Sequence, residues 1–164
     1  MKLAAARFDE SLADAIEPAY RLACGMLHDP TSAEDAVQEA AIKAWRKQHR
    51  LRPGTDLRPW FLGIVANECR EHRCRRWTSV LRWAEVPAAA AALGVDLDAS
   101  ADLRRQLIRL READRLVVVL HFHLDMTLGE IAAVTRRSVG SVRGRLYRAI
   151  KKLRPGLEME EALR

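Results

Sequence analysis

Apolar residues recur every three or four positions along most of the chain, which is the spacing of one buried face on an α-helix. This pattern predicts helices over residues 8–28, 31–49, 59–82, 101–112 and 113–124, and two more within residues 127–154. The run Leu116–Leu120 contains three valines, which favour strands, but its position between helical patterns favours a buried helix. The sequence therefore predicts an all-α fold.

Local signals indicate where these helices begin and end. The first helix is expected to end before Pro30, because the residue preceding a proline is pushed out of the helical conformation. A capping box at Thr31–Glu34 or Ser32–Asp35 is expected to begin the second helix, and Asp56 is expected to cap the third. The inward face of the second helix is predicted to comprise Ala33, Val37, Ala40, Ala41, Ala44 and Trp45.

Residues 127–154 have the pattern of two short helices joined by a tight turn. Thr127 with Glu130 forms a capping box for the first of them, and Ser138 is a second N-cap. One buried stripe of the second helix is predicted to comprise Val139, Val142, Leu146, Ile150 and Leu153. From the turn to residue 154 there are eight basic residues and no acidic one.

A cationic helix at the end of a domain is often only a solvated surface. Here the charge has one sign along the whole helix, so the helix repels itself unless an anionic partner is present. Small residues on its early turns, Ser138, Gly140, Ser141 and Gly144, let a backbone approach phosphates closely. The pattern therefore indicates a helix-turn-helix whose second helix enters the DNA major groove.

The chain changes character over residues 84–100, which are alanine-rich, carry acidic residues and lack a polar–apolar period. This segment is predicted to be a flexible linker between two small helical domains, residues 1–83 and 101–155, with an acidic tail over residues 156–164. A flexible tether between two DNA-binding domains raises the effective concentration of the second domain once the first is bound.

The composition supports a nucleic-acid partner. A formal charge of +6 and a pI near 9.7 point to an anionic partner, nucleic acid before an acidic protein surface. No apolar run reaches the ~20 residues of a membrane span, and acidic residues interrupt the N-terminal segment too early for a signal peptide. Three cysteines, an odd number, fit reduced thiols. We therefore predict a cytoplasmic protein.

Cys69, His72 and Cys74 invite a zinc interpretation. On a helix Cys74 is rotated away from the other two, and no fourth ligand is evident, whereas zinc needs converging ligands. Neighbouring arginines would favour a redox-sensing thiol, but ordinary core or surface cysteines are the favoured interpretation. The sequence has no phosphate-binding glycine loop, nucleophile elbow or paired catalytic carboxylates, so we expect no metal, cofactor, enzymatic activity or small-molecule substrate.

Three segments, in order, resemble a bacterial RNA polymerase sigma factor of the extracytoplasmic-function group. Residues 28–45 resemble the family's second helix, with its acidic pair followed by Gln-Glu and a Trp. Residues 57–76 resemble the next helix, with its Trp, its Asn and its arginine-rich end, and residues 126–154 resemble the promoter-reading helix-turn-helix. In order and with a linker between them, the three segments cover nearly the whole chain.

The resemblance implies a role for each segment. The second helix would dock on the clamp helices of the largest polymerase subunit through Asp35, Gln38, Glu39, Lys43 and Trp45. The loop 50–59 and the third helix would engage the locally melted minus-ten element through Asn67 at a base edge and through Arg70, Arg73, Arg75 and Arg76 at phosphates. The minus-thirty-five element would be contacted by Arg136, Arg137, Ser138, Ser141, Arg143, Gly144, Arg145, Tyr147, Arg148 and Lys151.

The partners implied by the resemblance are core RNA polymerase, double-stranded and locally melted promoter DNA, and an anti-sigma protein. The chain departs from the family at the helix-turn-helix turn, where Arg136 and Arg137 replace a glycine and an apolar residue, and at Glu71, where an aspartate is usual. The alternative is a stand-alone helix-turn-helix regulator with residues 1–80 as a sensing or dimerising domain. The sequence contains no heptad seam for such a dimer.

Overall fold

The computed structural model describes residues 2–51, 54–80 and 105–153, and the side chains of 8–51, 54–74 and 105–153. The chain divides into two compact units, Met1–Ala92 (unit 1) and Leu93–Arg164 (unit 2). Every regular element in the described ranges is helical, so the predicted all-α class is confirmed. The predicted linker and acidic tail lie outside the described residues.

The described residues of unit 1 form three packed helices. They are α1 (Lys2–Leu27), α2 (Pro30–Lys47) and α3 (Leu57–Val80), with a 3-10 turn, Gln48–Arg50, after α2. Each helix packs against the other two. The fully buried side chains include Leu22 and Met26 from α1, Ala33, Ala36, Ala40 and Ala44 from α2, and Phe61, Leu62, Val65 and Cys69 from α3. The small buried face of α2 lets larger side chains of α1 and α3 fill the core.

The boundary between α1 and α2 is set by Asp29 and Pro30. The helix α1 ends at Leu27, as predicted, and His28 adopts a left-handed conformation with φ 57°. The predicted capping box for α2 is wrong, because α2 begins at Pro30 and its N-cap is Asp29, whose carboxylate accepts a hydrogen bond from the Ser32 amide at 3.2 Å. Proline suits the first helical position, where its missing N–H is not needed.

The start of α3 confirms Asp56 as its cap. The Arg58 amide donates to Asp56 Oδ1 at 3.0 Å, and α3 begins at Leu57. In the first half of α3, Phe61 and Val65 are buried, whereas Trp60 and Ile64 are partly exposed.

Between residues 105 and 153, unit 2 contains a short helical stretch, residues 105–109, and three longer helices. They are α4 (Glu112–Val118), which continues as a π-helical turn over Val119–His123, α5 (Leu128–Thr135) and α6 (Val139–Leu153). The run Leu116–Leu120 is buried and helical, so the helical interpretation of the valine-rich segment is confirmed. It packs with Ile131, Val134, Val142, Leu146 and Ala149, which hold α5 and α6 in place.

The caps of the helix-turn-helix form as predicted. The Glu130 amide donates to Thr127 Oγ1 at 3.3 Å, and the Thr127 amide donates to Glu130 Oε2 at 2.8 Å. The Ser141 amide donates to Ser138 Oγ at 3.3 Å. These local bonds fix where α5 and α6 begin, and therefore how the turn between them presents α6.

The turn between α5 and α6 uses Arg136 in a position that favours glycine. Arg136 is left-handed, with φ 53° and ψ 44°, and the Arg137 amide bonds to the Ala132 carbonyl at 3.1 Å to close α5. Such closure is usually made with glycine, because a Cβ in this conformation costs about 1–2 kcal/mol. The turn therefore forms despite the arginine.

We expect Arg136→Gly to stabilise unit 2 by about 1 kcal/mol because it removes this strain, which corresponds to roughly 4–8 °C in unfolding temperature. Thermal unfolding followed by circular dichroism measures the change. The matched control is Arg137→Gly, which removes the same charge at a neighbouring residue without a positive φ. Equal unfolding temperatures for the two variants would contradict the explanation.

Candidate nucleic-acid and protein interfaces

The helix α6 has one buried and one cationic face. Val142, Leu146, Ala149 and Ile150 are buried, whereas the exposed side chains at the turn and along the helix include Arg136, Arg137, Ser138, Arg143, Tyr147, Arg148, Lys151 and Lys152. Lys152 pairs with Asp114; we call the other exposed cations of α6, Arg143, Arg148 and Lys151, the α6 cationic face. The prediction that Val139 is buried is wrong, since its side chain is 42% exposed; the core begins one turn later, at Val142.

Two cations of α6 have an intramolecular partner that the sequence analysis missed. Asp114 of α4 is buried, and its carboxylate lies 3.4 Å from Arg145 Nη1 and 3.2 Å from Lys152 Nζ. A buried carboxylate is strongly stabilised by paired cations. Asp114 therefore ties α6 to α4 through two ion pairs. One of them orients Arg145, a predicted phosphate contact, towards α4.

The glycines of α6 are not required by packing within unit 2. A Cβ added at Gly140 would meet nothing within 4 Å, and one added at Gly144 would meet only Arg148 Nη1, at 3.5 Å. Ser141 and Gly144 are partly exposed. Small residues here flatten α6 beside the α6 cationic face, which permits close approach of a bulky anionic ligand.

The helix α2 carries an exposed stripe with acidic and apolar ends. Asp35, Gln38, Ile42 and Trp45, spaced by three, four and three residues, are all exposed; we call them the α2 stripe. Ile42 is 53% and Trp45 58% exposed, so the prediction that Trp45 packs inward is wrong. The alanine face of α2 is too narrow to take in an indole, and Trp45 lies one residue beyond buried Ala44.

Ile42 was missed by the sequence analysis, which left it outside both the inward and the polar face of α2. The signal was its position four residues after Gln38 and three before Trp45. Glu39 lies beside the α2 stripe, and its Oε2 is 3.7 Å from His72 Nε2. Exposed aromatic and aliphatic side chains are typical of the centre of a protein interface, and charged groups of its rim.

The helix α3 presents a polar face to solvent. Asn67 and Arg70 are exposed, and Arg70 Nη1 donates to Asn67 Oδ1 at 3.4 Å. Arg73 is partly exposed, and the side chains of Arg75 and Arg76 lie outside the described ones. Asn67 and Arg70 therefore lie together on the exposed surface of α3.

The cysteines of α3 do not form a joint site. Cys69 is buried and Cys74 is exposed, because five residues of helix place them on different sides. In the part of the chain with described side chains, no three histidine, cysteine or acidic residues converge on a metal position. None of the described helices has both the length and the apolar character needed to cross a membrane.

A three-residue ion cluster joins α2 to α3. Lys43 Nζ lies 2.7 Å from both carboxylate oxygens of Glu68 and 3.2 Å from Glu71 Oε2. The Glu68 side chain is only 2% exposed, so the lysine is its ion-pair partner away from water. The hydrogen bond to Glu68, and more weakly that to Glu71, raises the pKa of Lys43 above its usual 10.5.

This raised pKa predicts an alkaline loss of stability. A group whose pKa rises on folding stabilises the fold below its unfolded pKa, and the contribution is lost as pH rises through the folded pKa. We expect the Lys43 contribution to be complete below pH 10.5 and to be lost above it. Unfolding temperatures measured from neutral pH into this range should fall more steeply for the wild type than for Lys43→Met. Lys47→Met, at an exposed lysine of the same helix, should follow the wild type; a parallel fall in all three would contradict the assignment.

Comparisons with known proteins match each of the two units to a separate family model. Residues 14–78 match the family model of sigma-70 region 2, and residues 100–153 match that of sigma-70 region 4. The chain is similar to RNA polymerase sigma factor CarQ of Myxococcus xanthus, with 32% identity over 84% of this chain and 83% of that one. It is also similar to RNA polymerase sigma factor SigV of Bacillus subtilis, with 28% identity over 87% and 86% of the two chains.

A similar solved structure is the sigma factor RpoE in complex with the anti-sigma factor NepR from Bartonella quintana. It matches with a TM-score of 0.74 and 25% identity, covering 90% of this chain and 94% of that one. The region 2 model covers most of the helical residues of unit 1, and the region 4 model covers the helix-turn-helix of unit 2. A relative above 30% identity also matches over most of its length. The chain is a member of the sigma-70 family of bacterial RNA polymerase sigma factors, in the extracytoplasmic-function group, and thus a promoter-specificity subunit.

Proposed function

We propose that the α2 stripe binds core RNA polymerase while α3 and α6 contact the two elements of the promoter. The observation that carries this division is the difference between the surfaces: α2 exposes carboxylate and apolar groups, whereas α6 exposes cations. A cationic face suits DNA phosphates, and an exposed stripe that ends in an isoleucine and a tryptophan suits a protein surface. The chain acts in the cytoplasm, where polymerase and promoter meet, and leaves polymerisation chemistry to the core enzyme.

The docking residues are assigned by exposure. Asp35 and Gln38 supply the polar end of the α2 stripe, and Ile42 and Trp45 supply the apolar end, with Glu39 at its edge. Lys43 is held by Glu68 and Glu71, so we place it behind the docking surface. Trp45 is the expected centre of the binding energy, because tryptophans dominate the energetics of protein interfaces.

The DNA contacts follow the sequence prediction, supported by exposure where the side chain is described. On α3, Asn67 meets a base edge of the melted minus-ten element, and Arg70, Arg73, Arg75 and Arg76 meet phosphates. On α6, Arg143 and Arg148 reach base edges in the major groove, where an arginine–guanine pair discriminates by about 1–3 kcal/mol. The remaining contacts position the helix: Arg136, Arg137, Ser138, Ser141, Gly144, Tyr147 and Lys151, with Arg145 at the margin beside Asp114.

An anti-sigma protein is a further expected partner. The similar RpoE structure contains the anti-sigma factor NepR. The exposed apolar groups of the α2 stripe offer such a partner a binding surface when polymerase is absent. Such a partner restrains the factor by competing for the same surfaces.

Run-off transcription with purified core polymerase tests the function. The template is a promoter library randomised at both elements, and the expected result is transcription that depends on the chain and enriches one pair of elements. The stand-alone regulator predicts the opposite: no added initiation, together with tight binding to a palindromic duplex in the absence of polymerase. That result would refute the proposed function.

A further inference from the structure

We infer that Lys43 is a positioning residue: through Glu68 and Glu71 it fixes the rotation of α3 against α2, and so presents Asn67 and Arg70 to the minus-ten element. The inference rests on the proposed function of α3. It assigns the lysine neither to polymerase nor to DNA, but to the geometry that relates the surfaces of α2 and α3.

The contacts of Lys43 define a direction as well as an attraction. Its ammonium group bonds to both oxygens of Glu68 at 2.7 Å and to Glu71 at 3.2 Å. Glu68 and Glu71 are one helical turn apart, so two points along α3 are tied to one point on α2. Two such points limit both rotation of α3 about its axis and sliding along it.

Burial makes the connection to Glu68 obligatory. The Glu68 side chain is 2% exposed, and a buried charge that loses its partner is strongly destabilised. If α3 rotated, Glu68 would leave its cation while remaining out of water. The cluster therefore makes the observed rotation of α3 lower in free energy than neighbouring rotations.

The rest of the α2–α3 contact specifies rotation less strongly. The buried residues of α2 are four alanines and one valine: Ala33, Ala36, Val37, Ala40 and Ala44. Short side chains form shallow ridges, and packed ridges and grooves are what otherwise fix the relation of two helices. On the α2 side of α3, the directional polar contact therefore supplies selectivity that the alanine face lacks.

Small rotations matter at the DNA-facing side. Asn67 precedes Glu68 directly, and Arg70 precedes Glu71, so each DNA-facing residue adjoins a residue held by Lys43. Side chains extend about 5–6 Å from a helix axis, so a 20° rotation moves the Asn67 amide by roughly 2 Å. Recognition groups must be held to about 0.5 Å, which makes this displacement sufficient to lose a base contact.

The test uses holoenzymes assembled from core polymerase and the full chain carrying Lys43→Met, Lys43→Arg or the pair Lys43→Met/Glu68→Met. Each is assayed for unfolding temperature, core affinity, and base preference and rate of opening on the promoter selected from the randomised library. For Lys43→Met we expect core affinity within twofold of wild type, opening slowed at least tenfold and base preference at minus ten reduced at least fivefold. A template already melted at minus ten should recover most of the rate, but not the preference.

The other two variants separate positioning from stability. Lys43→Arg keeps a cation that reaches both oxygens of Glu68 and should retain opening within threefold. Replacing both charged groups with methionine removes the buried charge and should restore the unfolding temperature, while base preference stays low because the apolar pair has no direction.

Four results would overturn the inference. Recovery of base preference together with stability in the double variant would reduce the cluster to a stabilising contact. A loss of core affinity in Lys43→Met as large as the loss of opening would make Lys43 a docking residue. Unchanged base preference in Asn67→Ala would refute both the proposed role of α3 and this inference. If Asn67→Ala reduced the base preference and Lys43→Met did not, the inference alone would be refuted.

Discussion

Trp45→Ala should weaken binding of the chain to core RNA polymerase about thirtyfold while leaving the fold of unit 1 intact. Its side chain is 58% exposed at the end of the α2 stripe, so its removal opens no cavity in the core. A tryptophan at the centre of an interface is typically worth about 2 kcal/mol or more, and 1.4 kcal/mol is tenfold in affinity. Competition binding with labelled wild-type chain measures the loss, and thermal unfolding checks the fold.

The matched control for Trp45→Ala is Ile16→Ala. Ile16 is 37% exposed on α1 of the same unit, so this change removes exposed apolar surface from a helix other than α2. Core affinity should stay within twofold. Ile42→Ser should fall between the two, at about fivefold, because an isoleucine buries less surface than an indole. Equal losses for Ile16→Ala and Trp45→Ala would show that polymerase does not use the α2 stripe.

The features that the sequence predicted correctly are mainly local. The capping box at Thr127, the N-cap at Ser138 and the cap at Asp56 each involve residues two or three positions apart, so their chemistry is visible in the chain itself. The end of α1 before Pro30 is local in the same sense. The start of α2 was misplaced because two signals competed, and Asp29, held extended by the proline, takes the cap ahead of Thr31 or Ser32.

The features that the sequence did not predict depend on partners distant in the chain. Lys43 and Glu68 are 25 residues apart, and Asp114 is 31 residues from Arg145. Periodicity shows that a face is polar, but not which charges meet across two helices. Both contacts therefore altered the predicted interfaces, by giving Lys43 and Arg145 intramolecular partners.

The exposure of Trp45 and Val139 has a similar cause. Both residues continue a helical apolar period, yet the core ends before Trp45 in α2 and begins after Val139 in α6. Where a core ends depends on the size of the neighbouring helices, which hydrophobic spacing does not encode. Ile42 is a third such residue, because its exposure, which places it in the α2 stripe, was not evident from the sequence.

Arg145 and Lys152 of α6 pair with Asp114, whereas the α6 cationic face has no such partner among the described residues. This difference leads to the second large expected effect. Arg143→Gln combined with Arg148→Gln should lower holoenzyme affinity for the selected minus-thirty-five duplex about a hundredfold, since each base-reading arginine is worth about 1–3 kcal/mol. Both side chains are exposed, so unit 2 should remain stable. Fluorescence anisotropy at several salt concentrations measures the affinity.

The salt dependence distinguishes the α6 cationic face from the cations held by Asp114. Each phosphate contact contributes about 0.9 to the slope of log affinity against log salt, so Lys151→Gln should reduce the slope by about that amount. Lys152→Gln should leave the slope nearly unchanged and lower the unfolding temperature instead, because Lys152 pairs with buried Asp114 at 3.2 Å. If Lys152→Gln lowered the slope as much as Lys151→Gln, the lysine would leave Asp114 on binding, and α6 would offer DNA more charge than its free structure presents.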